Sequence, residues 1–294
     1  MKNIQAGMLA PVPGLARYLT FSLKPDTDPA GALKQLSGVV DGDHVVIGLG
    51  LPLVLAMDGH IPELRNFPNA VGPGIEIPST SGSLWCWLRG EDRGELLHQT
   101  RTLSDRLASA FRLEQTVDAF RYGPGLDLTG YEDGTENPID EAALDAGIVQ
   151  AQGPGLDGSS FVAVQQWVHD LNRFQAMSTQ EQDNAIGRRK SDNEEIAEAP
   201  ISAHVKRTAQ ETFNPEAFIL RRSMPWADAA QEGLMFVAFG KSFDAFEAQL
   251  NRMIGAEDDV TDALFKFTRP VSGSYYWCPP VAQDGGLDLS VLRR

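Results

Sequence analysis

The order of strand-like and helix-like segments repeats once along the 294-residue chain, and this repeat limits the folds that the chain can adopt. Each half begins with a strand-like segment followed by a helix-like one, at 16–37 in the first half and at 159–178 in the second. A second strand-like segment then runs into a proline, and a third leads into an amphipathic helix. This pattern predicts an α+β fold with a duplicated unit, whose antiparallel strands form a sheet with helices on one face.

The repeat also predicts where the chain divides. We expect two units, at 1–150 and 151–294. Inside the second unit, residues 178–200 are rich in charge and are typical of a solvated connector. This connector opens with a capping box, because Ser178 is followed three residues later by Glu181.

The composition excludes several classes of protein. A hydrophobic content of 42% and a charged content of 22% are typical of a globular chain. The net charge of −15 argues against a nucleic-acid or anionic membrane partner, since both require a cationic surface. Cys86 and Cys278 form no CxxC pattern, so we interpret them as buried or idle thiols in a reducing compartment. With neither a signal peptide nor a long apolar run, we expect a cytoplasmic protein that spans no membrane.

The loop TGYEDGTENP, residues 129–138, is the strongest local candidate for a functional site. It places two adjacent carboxylates, Glu132 and Asp133, between glycines. Such a loop fits either a tight solvated turn or a carboxylate held over a reaction centre. The motifs of serine hydrolases, zinc proteases and Walker-type nucleotide sites do not occur in the sequence.

The histidines differ in their sequence neighbourhoods. His204 stands between apolar Ile201 and Val205, which leaves open both a packed histidine and a ligand. For the other four we predict surface positions: His44, His60, His98 and His169.

The segment FILRRSMPW places Arg221 and Arg222 on a strand that we expect to be buried. Strand alternation sends their side chains to opposite faces, so at least one guanidinium points inward. An inward arginine needs an anionic partner or a developing negative charge, and Asp133 is a candidate for that companion. An acid, a permanent cation and a histidine are together the parts needed to bind a haem iron and cleave a peroxide.

Three segments carry a resemblance to a known family. GYEDGTENP contains the GxxDG signature of the dye-decolourising peroxidases, and AHVKR, with His204 71 residues after Asp133, resembles the proximal-histidine segment of that family. LRRSMP resembles its distal-arginine strand. The length and the spacing resemble the short bacterial B-type members, and the resemblance covers nearly the whole chain.

The resemblance implies a pair of ferredoxin-like units whose sheets pack together, with haem b (iron protoporphyrin IX) in the second unit. It implies that His204 is the proximal iron ligand and that its other ring nitrogen needs an acceptor. Asp262 is a candidate for that acceptor, although Lys266 stands where the family often has an acid. Arg188 matches a family position near a haem propionate.

The resemblance also implies the roles on the peroxide side of the haem. Asp133 would move a proton between the peroxide oxygens, and Arg221 would stabilise the charge that develops as the O–O bond breaks. Arg221 is preferred over Arg222 because the family arginine stands three residues before the position of Met224. Ser223 would face the same cavity. The glycines of the loop would let its backbone approach the haem.

The implied activity is reduction of hydrogen peroxide and oxidation of phenolic or dye-like one-electron donors through a ferryl intermediate. Two alternatives remain open at this point: a haem-handling protein for porphyrin transfer or iron release with incidental peroxidase activity, and an α+β protein without haem. Electron relays and core packing are both open for six aromatic residues: Tyr131, Trp167, Trp226, Tyr275, Tyr276 and Trp277.

The resemblance extends to partners. It implies a homo-oligomer with hydrogen peroxide and a small-molecule reductant as its substrates. The C-terminal segment GGLDLSVLRR, 285–294, resembles the cargo peptides by which some of these peroxidases dock inside encapsulin shells. The alternative is a tail that packs on its own subunit or on a sister subunit.

Overall fold

The structure is a computed structural model that describes residues 3–36, 39–282 and 285–292. The strands in this part of the chain are β1 Leu15–Leu23, β2 Val45–Leu49, β3 Ala70–Gly72, β4 Ile75–Ile77, β5 Leu84–Gly90, β6 Phe111–Phe120, β7 Ser160–His169, β8 Leu220–Arg221, β9 Met224–Ala227, β10 Glu232–Gly240, β11 Thr268–Pro270 and β12 Ser274–Cys278. The α-helices are α1 Pro29–Lys34, α2 Leu51–Ala56, α3 Arg93–Leu107, α4 Asp140–Gly147, α5 Leu171–Gln175, α6 Thr179–Ile186, α7 His204–Arg207 and α8 Asp244–Met253. Short 3-10 helices lie at Ala6–Met8, Gln210–Thr212, Ala263–Lys266 and Ser290–Leu292.

Ten of these strands form one sheet that closes on itself. The order is β11-β7-β12-β2-β5-β1-β6-β9-β10-β8, and an additional pairing between β7 and β10 closes a ring of eight strands. The strand pairs of the ring are antiparallel. The predicted α+β class is therefore confirmed, with the sheet in a barrel-like arrangement.

The two halves of the ring have the same topology. In the first half β2-β5-β1-β6 lie side by side, and in the second half β9-β10-β7-β12 do. When only the eight strands of the ring are counted, each set places the second, third, first and fourth strand of its half side by side. This is the strand order of a ferredoxin-like unit. The halves join through single pairings, Leu49 with Trp277 and Ala119 with Trp226. The predicted duplication is confirmed, whereas a boundary at residue 150 remains a prediction.

Aromatic side chains fill the inside of the ring. Tyr18 stacks between Trp85 and Trp87 with ring centroids 6.2 Å from each, and Trp85 stacks on Tyr276 at 5.9 Å. Trp87 also contacts Phe239 of β10, which is not a neighbour of β5 in the sheet, so this face of the strands points to the interior. Successive strand residues alternate between this interior and an outer layer that packs under the helices.

The two cysteines are both buried and free, as the sequence indicates. Cys86 packs in the outer layer and Cys278 in the interior of the ring. Burial raises the pKa of each thiol well above its ordinary value, because the charged thiolate is disfavoured there. Both thiols therefore stay protonated and act as apolar packing groups.

The predicted capping box positions the elements around the site. The Ser178 side chain accepts from the backbone N–H of Glu181, and the Glu181 carboxylate accepts from the Ser178 backbone, so α6 begins where the sequence predicts. The helix ends at Gly187 with φ 94°, a conformation that favours glycine. A side chain at this position would collide with Val205, so the glycine lets the end of α6 approach α7, which begins at His204.

The C-terminal tail packs on its own chain as far as it is described. Leu287 forms a β-bridge with Val281, and Leu292 is buried beside Gly59. The last two arginines of the predicted cargo segment, 293 and 294, lie outside the described residues. None of the helices in the described ranges is long and apolar enough to cross a membrane.

Candidate active site

The loop after β6 is folded by its own backbone. The N–H of Asp133 donates to the carbonyl of Gly125 at 3.0 Å, and the N–H of Asp127 donates to the carbonyl of Tyr131 at 2.9 Å. Gly130 and Gly134 have φ values of 85° and 81°, which other residues adopt only with strain. The glycines of the signature are thus required by the turns that present Asp133.

Asn137 joins this loop to the strand that carries Arg221. Its Oδ1 accepts from the backbone N–H of Arg221 at 2.7 Å, and its Nδ2 donates to the Arg221 carbonyl at 3.2 Å. The two residues are 84 positions apart in sequence. The side-chain amide therefore replaces a strand partner and fixes Arg221 relative to the loop of Asp133.

Arg221 and Arg222 have different surroundings, as strand alternation predicts. Arg221 lines the same cavity as Asp133, and its buried Nε has no hydrogen-bond partner among the described residues. Arg222 instead donates to the backbone carbonyls of Leu9, Ala10 and Arg221. Burial, together with the nearby charge of Arg89, lowers the pKa of Arg222 to about 10.

His204 is held by a buried carboxylate. Its Nδ1 lies 2.7 Å from Oδ2 of Asp262, whose side chain is 0% exposed, while 26% of the histidine side chain is exposed. Asp262 is fixed in turn because it caps the 3-10 helix Ala263–Lys266, accepting from the N–H of Leu264. The structure thus confirms Asp262 as the partner of His204, although Lys266 stands nearby in place of an acid. Nε2 of His204 has no hydrogen-bond partner in the described part of the chain.

One cavity brings these residues together. Asp133, Arg221 and His204 all line it. Much of the remaining wall is apolar and comes from β10, α8 and the segment before β11: Leu234, Phe236, Phe246, Leu250, Met253, Leu264 and Phe267. The site is therefore a cleft with apolar walls and a few convergent polar groups, which is the usual form of a cofactor or ligand site.

The surroundings of Asp133 raise the pKa of its carboxyl group. Burial raises the pKa of this carboxyl, the positive charge of Arg221 opposes the rise, and the negative charge of Asp127 adds to it. The net pKa lies above the ordinary value of 3.8. A carboxyl group with a raised pKa is a stronger base than an ordinary one, and it is therefore better suited to accept and return a proton.

The prediction of a surface position for His169 is wrong. This histidine is buried and lines the cavity, with Nε2 3.0 Å from Oδ2 of Asp127 and Nδ1 2.6 Å from the hydroxyl of Thr268. Burial opposes the ionisation of Asp127, but hydrogen bonds from His169 and Thr129 hold its pKa below the ordinary value. Sequence reasoning also missed Asp127, which anchors the loop to the end of β7. The other three histidines are exposed as predicted: His44, His60 and His98.

Arg188 does not line this cavity. Its guanidinium donates to Glu136 and to the carbonyl of Asn193, and it lies 3.9 Å from Glu195. The structure therefore gives this arginine carboxylate partners from the protein itself. A further anion could bind there only by displacing or sharing them.

The remaining candidates divide between the cavity and the core. Tyr131 and Trp167 line the cavity, and the hydroxyl of Tyr131 donates to Asp183. Ser223 lines an adjoining pocket that shares Asp133 and Arg221 with the main cavity. The other aromatic residues belong to the packed layers of the fold: Trp226, Tyr275, Tyr276 and Trp277.

Comparison with known proteins gives the family. Residues 125–283 match the family described as Dyp-type peroxidase, C-terminal. The chain is 30% identical over 279 residues to the dye-decolorizing peroxidase of Rhodococcus erythropolis strain PR4, a match that covers 92% of this chain and 78% of that protein. It is 27% identical to the dye-decolorizing peroxidase of Mycobacterium tuberculosis, over 93% of this chain and 88% of that one. The chain belongs to the Dyp-type peroxidase family, and the enzyme it forms is a peroxidase.

Solved structures agree with this assignment. A putative dyp-type peroxidase from Shewanella oneidensis superposes with a TM-score of 0.87 at 25% identity, covering 99% of this chain and 98% of that one. A DypB variant from Rhodococcus jostii RHA1, solved in complex with heme, superposes with a TM-score of 0.85 at 26% identity over 94% and 96% of the two chains.

Proposed function

We propose that this chain is a haem b peroxidase that reduces hydrogen peroxide and takes one electron at a time from small phenolic or dye-like donors. The observation that carries the proposal is the hydrogen bonding of His204 and its position in the cavity. Its Nδ1 is held by buried Asp262 at 2.7 Å, which leaves Nε2 for a ligand, in the cavity that also contains Asp133 and Arg221.

The chemistry of the cavity fits a haem. A porphyrin-bound iron needs one protein nitrogen, apolar walls for the ring and polar groups near the peroxide site. Two histidines line the cavity, but both ring nitrogens of His169 are bonded, so His204 is the one with a nitrogen left for iron, and much of the wall is apolar. The described residues contain no group of three or more His, Cys, Asp or Glu side chains that could hold a metal without a porphyrin.

His204 would bind the iron, and Asp262 would hold His204 in position. A carboxylate that accepts from the second ring nitrogen fixes the tautomer and orientation of a ligating histidine, and it makes the ligand more basic. Asp262 is suited to this role because two hydrogen bonds fix its carboxylate: one with His204, and one from the N–H of Leu264 in the 3-10 helix that it caps. Bound haem would supply the redox-active iron at which the peroxide O–O bond is cleaved.

Asp133 and Arg221 would act on the peroxide itself. Asp133 would accept a proton from one peroxide oxygen and return it to the other, which its raised pKa favours. Arg221 would stabilise the negative charge that develops on the departing oxygen, since it is a permanent cation with no salt bridge to another described residue. Each turnover would consume two phenols and one peroxide, releasing two waters and two phenoxyl radicals.

The proposed role of Arg188, binding a haem propionate, has to be reconciled with the carboxylate that this arginine already binds. A propionate near this arginine would have to share a guanidinium that already binds Glu136. We retain the propionate role as part of the proposal, because the side chain is nearly buried and charged. Replacing Arg188 with glutamine should weaken haem retention, and unchanged retention would exclude the role.

Stopped-flow absorbance tests the peroxidase proposal. The haem-loaded protein is mixed with one equivalent of hydrogen peroxide, and the Soret band is followed for the wild type, Asp133→Asn and Arg221→Leu. Arg101→Gln is the matched control, since Arg101 is an exposed arginine of α3 outside the cavity. We expect a fast Soret change that at least one site variant slows roughly tenfold or more and the control leaves unchanged.

A different result would favour another function. If peroxide only bleaches the Soret band slowly, and equally in all four proteins, the chain is better explained as a haem-handling protein. If the purified protein binds no haem at all when loaded at neutral pH, both hypotheses fail. His204→Ala provides the corresponding control for haem binding, because it removes the proposed ligand.

Assembly is part of the proposal. We propose a cytoplasmic homo-oligomer, and the tail at 285–294 as a candidate encapsulin cargo peptide. Leu292 is buried on its own chain, so docking in a shell would require this residue to leave its site. Deletion of 286–294 followed by co-purification with a shell protein tests the cargo role, and equal co-purification with and without the tail would exclude it.

A further inference from the structure

A second pocket adjoins the main cavity and shares Asp133 and Arg221 with it. Its wall comes from the end of β6, the loop that follows, and the segment between β8 and β9. Three arginines converge on it: Arg121, Arg221 and Arg222. Arg221 has a task in the proposed reaction, but the reaction gives none to the other two.

The charge of these arginines is not neutralised by the protein. Arg17, Arg65, Arg89 and Arg207 form salt bridges at 2.5–3.2 Å, but none of the three pocket arginines has a salt bridge to another described residue. This is unexpected in a chain with 40 acidic and 25 basic residues. Arg221 and Arg222 are partly buried, and a partly buried cation that the protein leaves without a carboxylate fits an anion supplied by a ligand. Arg121 is exposed and adds its charge to the same wall.

Among the three arginines, Arg222 shows most clearly a positive charge without a carboxylate partner. It is half-buried, and the charge of Arg89 acts on it as well as burial, lowering its pKa to about 10. Its hydrogen bonds go to the uncharged carbonyls of Leu9, Ala10 and Arg221. These three bonds fix the guanidinium in place but leave its charge uncompensated.

The rest of the wall fits an aromatic ring beside the anion. Tyr122 is 45% exposed, and it lines the pocket with Leu126 and Pro225. Asp133 is the single carboxyl group among the described residues of this wall. Burial raises the pKa of this carboxyl above its ordinary value, so at a given pH it carries less negative charge, and repels an anion less, than an exposed carboxyl group would.

We propose that this pocket binds small aromatic carboxylates, with the carboxylate at Arg121 and Arg222 and the ring against Tyr122 and Leu126. The site itself follows from the arginines and the apolar wall. Its use by the enzyme rests on the proposed function, under which a phenolic acid bound here would be a reducing substrate held beside Asp133 and Arg221. Such a donor gives up one electron and its phenolic proton and leaves as a phenoxyl radical.

Calorimetric titration with benzoate tests the site directly, without turnover. The haem-loaded and the haem-free proteins are titrated at low ionic strength, and benzamide serves as the uncharged analogue. Arg121→Gln and Arg222→Gln each remove one pocket charge, whereas Arg101→Gln removes one from an exposed part of α3. We expect saturable benzoate binding that weakens roughly tenfold in each pocket variant and is unchanged in the control, with much weaker binding of benzamide.

A kinetic readout follows under the proposed function. With 4-hydroxybenzoate as the reductant, Arg121→Gln should raise KM at nearly constant kcat, and with 4-hydroxybenzamide it should change neither. This separates a binding role from a general loss of structure. Because Arg121 is exposed, its replacement should leave folding intact even if that of Arg222 does not.

Three results would overturn the proposal. The first is that benzoate fails to saturate any form of the protein, and the second is that it binds equally well after Arg121→Gln. The third is binding in the haem-free protein that disappears on haem loading, in which case the arginines serve the carboxylates of the haem itself. A protein that binds benzoate as expected but does not react with peroxide would leave the site standing and refute the proposed function instead.

Discussion

Replacing Asn137 with alanine tests whether one side chain aligns the two halves of the active site. The side-chain amide makes two hydrogen bonds to the backbone of Arg221, at 2.7 Å and 3.2 Å. Each such bond contributes about 0.5–1.5 kcal/mol, and a partly buried N–H that loses its acceptor adds to the loss. Asn137→Ala should therefore lower the free energy of unfolding by roughly 2–3 kcal/mol.

The assay combines stability with reactivity. Thermal unfolding of the haem-free protein should show a midpoint lower by roughly 4–12 °C, since about 1 kcal/mol shifts the midpoint of a large domain by some 2–4 °C. Stopped-flow mixing of the haem-loaded variant with peroxide should show a slower Soret change, because Arg221 loses its register with Asp133. Asn66→Ala is the matched control, since Asn66 is exposed and accepts a single bond from Ser81 at 3.1 Å.

Two outcomes would refute this reasoning. An unchanged unfolding midpoint would mean that the amide contributes nothing to stability. A lower midpoint with an unchanged peroxide rate would mean that Asn137 stabilises the fold but does not position Arg221. In that case the alignment of the site depends on other contacts.

Three further predictions concern the carboxylates around the cavity. Asp262→Ala should weaken haem binding by roughly 10–100-fold in a competition titration with apomyoglobin, because His204 loses the acceptor that orients it, and equal affinity would contradict this. Asp133→Asn should raise the unfolding midpoint of the haem-free protein near pH 7. Its native pKa is raised, so the gain should appear as the pH rises above the ordinary value of 3.8 and vanish below that value. A gain that is independent of pH would refute the electrostatic cause. His169→Leu should cost about 1.5–3 kcal/mol in denaturant unfolding, because buried Asp127 keeps its bonds from Thr129 but loses the one with His169. Since the native pKa of Asp127 is lowered, this cost should shrink as the pH falls through that pKa, and a cost below about 0.5 kcal/mol would exclude the pairing.

The strands of the ring were predictable because they are short runs rich in apolar, β-branched and aromatic residues. The segment 159–170 was predicted as a strand and forms β7, Ser160–His169. The strand before Pro52 was predicted to run to that residue, but it ends at Leu49, and α2 begins at Leu51. A short apolar run such as LPLVLA contains no period that distinguishes a strand from a helix, so the helix had no signal of its own.

The site was predictable where a motif is local and not where a partner is distant. Asp133 could be found because its glycines stand next to it in sequence. His169 was placed at the surface because Asp170 follows it, but its partner is Asp127, 42 residues away. The connector at 178–200 also does more than link two segments, since Asn193 donates to Glu132 of the loop at 2.8 Å. The local composition of these segments does not predict contacts between residues so distant in sequence.

The distribution of these contacts explains why the loop needs both halves of the chain. Asp133 comes from the first half, while the groups that hold its loop come from the second: Arg221 through Asn137, His169 through Asp127, and Asp183 through the Tyr131 hydroxyl. A carboxyl group that is costly to bury will leave the interior unless its loop is held, and one hydrogen bond of about 1 kcal/mol is too weak to hold it. Several attachments together can hold it, and Asn193 adds to these three by its bond to Glu132. The duplicated fold therefore contributes more than a pocket: its second half fixes the conformation of a loop that the first half supplies.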